Sequence, residues 1–289
     1  MIIVDAHQHY WEPSRGDYGW LDDAPAQLRH AFLPQDLDIQ RIAAGVAFSI
    51  LVQAAPSEAE TRYLYALAQL ETGVLGVVGW VDLEAPDAEA RIDALASDGS
   101  GLLCGLRPMA QDHPDHDWLA RSSLDHALAH MVEHDLAFDA LVTEPQWSSL
   151  LMRLDRQPGL RVILDHGGKP PAGAAGFRRW CAWIDELAAI PTVHCKLSGL
   201  LTELASTQPD SAIEPHVAYL FERFGPFRLA WGSDWPVLTL RSDYNTWLRQ
   251  ATALTERYAP GHLGDVFAGN ALRFYGRNQP SLNPCGEMS

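Results

Sequence analysis

The sequence predicts an α/β fold, a (β/α)₈ barrel, and three observations carry that expectation. Short apolar runs with strand character alternate with helix-periodic segments along 289 residues. Most of those runs end in polar or ionisable residues, as barrel strands do at the face that carries chemistry. The first strand-to-helix turn, Gln8-His9-Tyr10-Trp11, lacks the glycines an open doubly wound sheet would place there. The length suits one barrel domain spanning 1–289.

The strand runs are Ile2–His9, Gly45–Gln53, Val74–Asp82, Leu102–Arg107, Ala137–Val142, Arg161–His166, Thr192–Ser198 and Arg228–Asp234. Each is short and apolar throughout, the pattern of parallel strands covered on both faces. Helical spacing of apolar residues marks Ala59–Leu70, Ala88–Leu95, Leu124–His134, Gln146–Leu154, Phe177–Ala189, Ile213–Phe224 and Tyr244–Tyr258. Pro56-Ser57, Glu144-Pro145, Pro191 and Gly225-Pro226 punctuate their ends. The segment 11–34 is long for a strand-to-helix loop and carries Trp11, Tyr18 and Trp20, so it is expected over the barrel mouth as a lid or wall. The tail from Gln279, with Pro280, Pro284 and Gly286, is expected to be loosely held.

Composition narrows the function. The chain is 47% hydrophobic and 20% charged, enough for a large core. A net charge of -16 leaves no basic stripe for nucleic acid and none for an anionic membrane surface. No apolar run approaches the roughly 20 residues that cross a bilayer, and no secretory signal pattern opens the chain. Cys104, Cys181, Cys195 and Cys285 are scattered and read as reduced thiols, so a cytoplasmic location is expected. Oligomeric state is left open.

Asp5, His7 and His9 alternate along the first run, and on a regular strand all three would project to one side. Two imidazoles delivered to one point suit metal ligation or acid–base work. Further along, Gln53 closes the second run, Trp80 and Asp82 the third, and Arg107 the fourth. Asp165-His166-Gly167-Gly168-Lys169-Pro170, Lys196-Leu197-Ser198-Gly199 and Gly232-Ser233-Asp234-Trp235-Pro236 close the last three. Ser198 and Ser233 read as turn residues, and no Gly-x-Ser-x-Gly elbow supports a serine nucleophile. His113 and His116 read as parts of a solvated loop, and Glu144 as a helix-start acid.

With Asp5-Ala6-His7-Gln8-His9-Tyr10-Trp11, Tyr18-Gly19-Trp20, Gly79-Trp80-Val81-Asp82-Leu83, Gly105-Leu106-Arg107 and Gly269-Asn270-Ala271-Leu272-Arg273-Phe274-Tyr275, these motifs resemble the sugar lactonases of the amidohydrolase superfamily. The likeness is to the L-fuconolactonase and L-rhamnonolactonase group, and it runs in order through nearly the whole chain. It implies a distorted barrel that hydrolyses an aldonolactone to the free sugar acid at its C-terminal face, in carbohydrate metabolism. It makes Asp234 the base that activates water, and Arg107 and His166 partners of the lactone carbonyl or carboxylate. Many superfamily relatives hold two metals bridged by a lysine of strand four or five. Neither strand has a lysine here, so at most one divalent ion is expected, Zn²⁺ being the best candidate, held by His7, His9 and Asp234. Some lactonases of the group work without a metal, and that alternative stays open.

The residues suit this chemistry. Lactone opening needs a base for water and positive charge where the carbonyl oxygen becomes negative, and Arg107 offers a fixed fork of donors. Ten tryptophans favour a carbohydrate partner. Trp11, Trp20, Trp147 and Trp235 fall in mouth loops, and Trp11, Trp147, Trp235 and Gln53 are the substrate-contact candidates; Trp118, Trp180, Trp183 and Trp247 read as helix packing. The alternative reading is another metal-assisted barrel hydrolase taking a pyrone or muconolactone, or a decarboxylase. A dicarboxylate would need several cations at the mouth, and few appear beyond Arg107, Lys169 and Arg241. A catalytically dead barrel used for binding would be expected to lack the water-activating acid, and Asp234 is present.

Overall fold

The computed structural model describes residues 1–276. Eight parallel strands follow one another around a single sheet in sequence order. They are β1 (Ile3–Gln8), β2 (Val46–Val52), β3 (Val74–Gly79), β4 (Leu103–Leu106), β5 (Ala137–Ala140), β6 (Val162–Leu164), β7 (Val193–Leu197) and β8 (Leu229–Trp231). The sheet closes at its C-terminal lip, where Gln8 bridges Trp235 and the chain just past β8 pairs with β1. There Asp234 N donates to His7 O and His9 N to Trp235 O, each at 2.8 Å.

Helices α1 (Pro34–Ala43), α2 (Glu58–Leu70), α3 (Ala88–Asp98), α4 (Asp125–Glu133), α5 (Trp147–Arg156), α6 (Gly173–Ala188), α7 (Glu214–Phe224), α8 (Tyr244–Tyr258) and α9 (Asn270–Tyr275) accompany them. Two apolar cores result. One lies between sheet and helices and takes the outward residues of the strands. The other is the barrel interior, where Val4, Ala6, Ile50, Val52, Val78, Ala137, Ile163 and Ala230 meet Ala271, Phe274 and Tyr275 of α9. The interior chains are mostly small or β-branched, which lets α9 plug the barrel end opposite the mouth. Asn270 fixes the plug by donating to the carbonyls of Pro226 and Leu229 at 2.7 Å.

The predicted barrel and its eight strands are present. Two helices were not foreseen. In α1 the apolar residues Ile39 and Ile42 are 82% and 70% exposed while Leu37 and Arg41 are buried, so no amphipathic stripe is legible. The plug α9 has only six residues, too few to show a period. Strand ladders are shorter than the apolar runs because the lip residues His9, Gln53, Trp80, Asp82, Arg107, His166 and Asp234 lie just past the last pairings. The segment 11–34 is ordered by three 3₁₀ turns and by reciprocal Trp11–Phe32 backbone bonds. Residues from Gln279, and Cys285 with them, lie outside the described residues.

Candidate active site

The regular alternation expected for Asp5, His7 and His9 does not hold. Val4 and Ala6 face the interior, and Asp5 between them accepts bonds from Ser233 N (2.8 Å) and from Tyr244 OH of α8 (3.0 Å). The pairing of β1 with β2 then shifts register between Asp5 and Gln8, and this irregularity turns His7 into the barrel. Asp5 is thus a strut for the β8 lip, with its carboxyl pushed up to about 6 by burial.

Three imidazoles converge on one carboxylate. His7 Nε2 and His9 Nε2 are 3.0 Å apart, and Asp234 Oδ1 stands 3.7 Å from the first, 3.4 Å from the second and 3.8 Å from His166 Nε2. The far nitrogen of each ring is engaged. His9 Nδ1 donates to Val52 O (2.8 Å), His166 Nδ1 bonds Ser198 Oγ (3.0 Å), and His7 Nδ1 faces Lys196 Nζ (2.9 Å) and Asp165 (3.3 Å). The Val52 carbonyl can only accept, so His9 Nε2 is left bare. His7 Nε2 then donates to it, while His7 Nδ1 accepts from Lys196.

Backbone strain gathers here. Of the five non-glycine residues with positive φ among the described residues, three lie at the mouth: His166 (54°), Lys169 (49°) and Asp234 (58°). Such conformations cost on the order of 1–3 kcal/mol and persist only where the surroundings impose them. Trp180 Nε1 donates to Gly167 O (2.7 Å) and Trp247 Nε1 to Gly232 O (2.9 Å), each pinning one strained loop from a helix behind it. Gly199 and Gly232 have no alternative: a Cβ on the first would overlap the His166 ring and on the second would stand 2.7 Å from His7 Cβ.

Behind His7 lies a fully buried ionic cluster. Lys196 Nζ reaches Asp139 Oδ2 at 2.5 Å and Asp165 Oδ1 at 3.0 Å, and Tyr275 OH donates to Asp139 at 2.9 Å. Arg107 Nη1 stands 3.4 Å from Asp165 Oδ2 and 3.5 Å from His7 Nε2, and its Nη2 donates to Gln53 O. Gln53 returns a bond from its amide to Arg107 O at 2.7 Å.

Burial first, then neighbouring cations, push His7, His9 and His166 below the ordinary imidazole range, so the rings are neutral at pH 7. Burial acts to raise Asp234, but the imidazoles around it, His166 foremost, overcome it and hold the carboxyl below the usual carboxylate range. The result is a buried anion faced by neutral nitrogen donors. His7 Nε2, His9 Nε2 and Asp234 Oδ1 form a triangle with edges of 3.0, 3.4 and 3.7 Å. A tetrahedral ion with bonds of about 2.0–2.2 Å needs ligands roughly 3.3–3.6 Å apart. The residues therefore fit one divalent ion, and the held far nitrogens are the support such ligands require. Accepting an ion at Nε2 would require the His7 proton to move to Nδ1, facing Asp165.

The cavity above the cluster has a volume of about 440 Å³, within the usual range for small-molecule sites. His9, Trp11, Trp20, Arg107, His166 and Asp234 line it, with Met109, Leu141, Val237 and Leu240 as apolar wall and Gln111, Asp112, Lys169, Thr202 and Glu203 as polar rim. Gln53, Trp147 and Trp235 are not in this lining. Gln53 is spent on Arg107, Trp147 stacks on Trp183 at 4.5 Å, and Trp235 packs edge-on against Tyr10 and Phe32. Loop position alone does not distinguish a tryptophan that faces the cavity from one that faces the helices. Trp180 and Trp247 are buried in helix packing as expected, yet each also holds a site loop. Ser233 is a turn residue, whereas Ser198 does more, orienting His166. Asp139 and Tyr275 were missed, because the first sits inside an apolar strand and the second is distant in sequence.

Residues 4–277 match the Amidohydrolase family. An L-fucono-1,5-lactonase of Burkholderia ambifaria is 42% identical over 283 residues, covering 96% of this chain and 97% of that one. An L-fucono-1,5-lactonase of Burkholderia multivorans is 34% identical over 97% of this chain and 98% of that protein. The crystal structure of a Burkholderia multivorans amidohydrolase with bound zinc superposes with a TM-score of 0.88 at 32% identity, covering 96% and 99% of the two chains. This chain belongs to the amidohydrolase family.

Proposed function

We propose that the chain hydrolyses a sugar-acid lactone to the free acid, L-fucono-1,5-lactone or a close stereochemical relative being the substrate. The observation that carries this is the ionised Asp234 buried among three neutral imidazoles beside a cationic fork, at the floor of a cavity walled by tryptophan and rimmed by polar groups. The 42% identity to a protein named L-fucono-1,5-lactonase supports the substrate class.

Asp234 takes a proton from water as the water oxygen bonds to the lactone carbonyl carbon. Negative charge develops on the carbonyl oxygen, and Arg107 donates to it from an N–H not used by Gln53 or Asp165. His166, oriented by Ser198, faces the same oxygen. The ring C–O bond then breaks, and the proton held by Asp234 passes to the departing alkoxide, leaving hydroxyl and carboxylic acid; the acid then loses its proton to solvent and becomes the carboxylate. His7, His9 and Asp234 would hold a divalent ion, Zn²⁺ by donor type, which when bound supplies a Lewis acid at the reacting carbonyl. Trp11 and Trp20 pack against the apolar side of the sugar ring, and Gln111, Asp112, Lys169 and Glu203 meet its hydroxyls.

The test is a panel of L-fucono-, galactono-, arabinono- and rhamnonolactones, with a pyrone dicarboxylate and a muconolactone, assayed by acid release with a pH indicator. Turnover of an aldonolactone above its spontaneous rate is expected. Turnover of the pyrone or muconolactone alone would replace this reading.

A further inference from the structure

Lys196 is fully buried and projects into the barrel rather than toward solvent. Its Nζ lies 2.5 Å from Asp139 Oδ2, 2.9 Å from His7 Nδ1 and 3.0 Å from Asp165 Oδ1. These acceptors, one imidazole nitrogen and two carboxylate oxygens, lie within 4.8 Å of one another. In type and number they are a divalent-ion donor set. A second set, His7, His166 and Asp234, lies on the mouth side and shares His7 with the first. The barrel thus carries two adjacent three-donor sets joined through one imidazole, and an ammonium stands at the centre of the deeper one.

We propose that Lys196 is a resident cation, its ammonium filling a position that would otherwise take a second divalent ion, and that removing it opens that position.

The ammonium hydrogen-bonds Asp139 Oδ2 and His7 Nδ1 and stands at ion-pair distance, 3.0 Å, from Asp165 Oδ1, a buried oxygen with no hydrogen bond of its own. Asp139 also accepts from Tyr275 OH, and Asp165 Oδ2 faces Arg107 Nη1 at 3.4 Å. With Lys196 in place, His7 Nδ1 is engaged from below; an ion at the mouth on Nε2 would put the His7 proton on Nδ1, facing Asp165, and Lys196 would then keep its two carboxylates. Truncating Lys196 to alanine empties the volume of its stem and leaves Asp139 and Asp165 with Arg107 as their only close cation among the described residues. A buried pair of carboxylates in that state recruits a counter-charge. The count of one ion at the mouth rests on reading His7, His9 and Asp234 as its ligands; the identity of the substrate does not enter.

The experiment compares wild type, Lys196→Ala, Lys196→Met and Lys196→Ala/Asp139→Asn, each purified with Mn²⁺ and, separately, Zn²⁺. Bound metal is counted by elemental analysis and Tm is read with and without the ion. Lys196→Ala is expected to hold one ion per chain more than wild type and to gain more Tm from added metal. Lys196→Met, whose neutral stem refills the space, and the double variant should gain neither. A folded Lys196→Ala with the wild-type metal count overturns the proposal, whereas folding of that variant only when metal is supplied supports it. Should it fold under neither condition, nitrogen-15 NMR of the wild type decides: a slowly exchanging lysine ammonium resonance supports the resident cation, and its absence overturns it. Metal counts need no turnover, so failure here and failure of the lactone panel are distinguishable.

Discussion

Replacing Arg107 by lysine keeps the charge and removes the fork. In the structure Arg107 does two jobs at once: Nη2 donates to Gln53 O while Nη1 faces Asp165 Oδ2 at 3.4 Å. Gln53 also holds the Arg107 backbone at 2.7 Å, so the planar group is fixed before any substrate arrives. A lysine ammonium is a single point on a flexible stem and cannot reach both partners while also donating into the cavity. Either Gln53 O or Asp165 is then left unsatisfied, at a stability cost of about 1–3 kcal/mol. The catalytic loss should resemble deletion of one oxyanion donor, about 10²–10³ in rate or roughly 2.7–4 kcal/mol. The assay is steady-state lactone hydrolysis with urea unfolding in parallel, and the loss should fall on kcat because the contact tightens as charge develops. A variant that raises only KM would assign Arg107 to the ring hydroxyls. One that changes neither parameter would make Arg107 structural and leave the developing charge to other groups.

Three further outcomes follow from the same geometry. Elemental analysis of the wild type should find at most one divalent ion per chain; full turnover after exhaustive chelation would instead make His7 and His9 substrate contacts. Burial pushes His7, His9 and His166 below the ordinary value of about 6.5, so the acid limb of the rate profile should lie below that pH, and a midpoint above it would contradict neutral rings. Glu60 is buried, accepts from Ala54 N at 2.9 Å and is pushed up to about 8 by burial. The folded chain therefore binds this proton more tightly than the unfolded one, and the associated stability is complete below about pH 4 and lost as pH rises toward 8, up to about 5 kcal/mol. Glu60→Gln should flatten that decline in urea midpoints taken near pH 5 and near pH 8.5, and an unchanged slope would refute the assignment.

The barrel was legible because parallel strands buried on both faces leave short apolar runs, and here eight of them alternate with helix-periodic segments. His7, His9, Arg107, His166 and Asp234 were legible for a related reason: each is a polar residue stranded at the end of such a run. What escaped was whatever depends on direction. Gln53 and Trp235 occupy lip positions like the others, yet they turn to Arg107 and to Phe32 instead of the cavity. The β1 irregularity that separates Asp5 from His7 leaves no trace in composition. Lys196 was visible as one of only two lysines, but its partners Asp139 and Tyr275 come from an apolar strand and a six-residue plug too short to show a period.

If Asp234 activates the water that opens the lactone, its loss is read plainly by setting Asp234→Asn beside the wild type on L-fucono-1,5-lactone. Asparagine keeps the shape, removes the proton acceptor and leaves three buried imidazoles without their anion. Initial rates of acid release, corrected for spontaneous hydrolysis, should fall by at least ~10² with circular dichroism unchanged. A folded Asp234→Asn protein that retains near-wild-type turnover would remove Asp234 from the role of base.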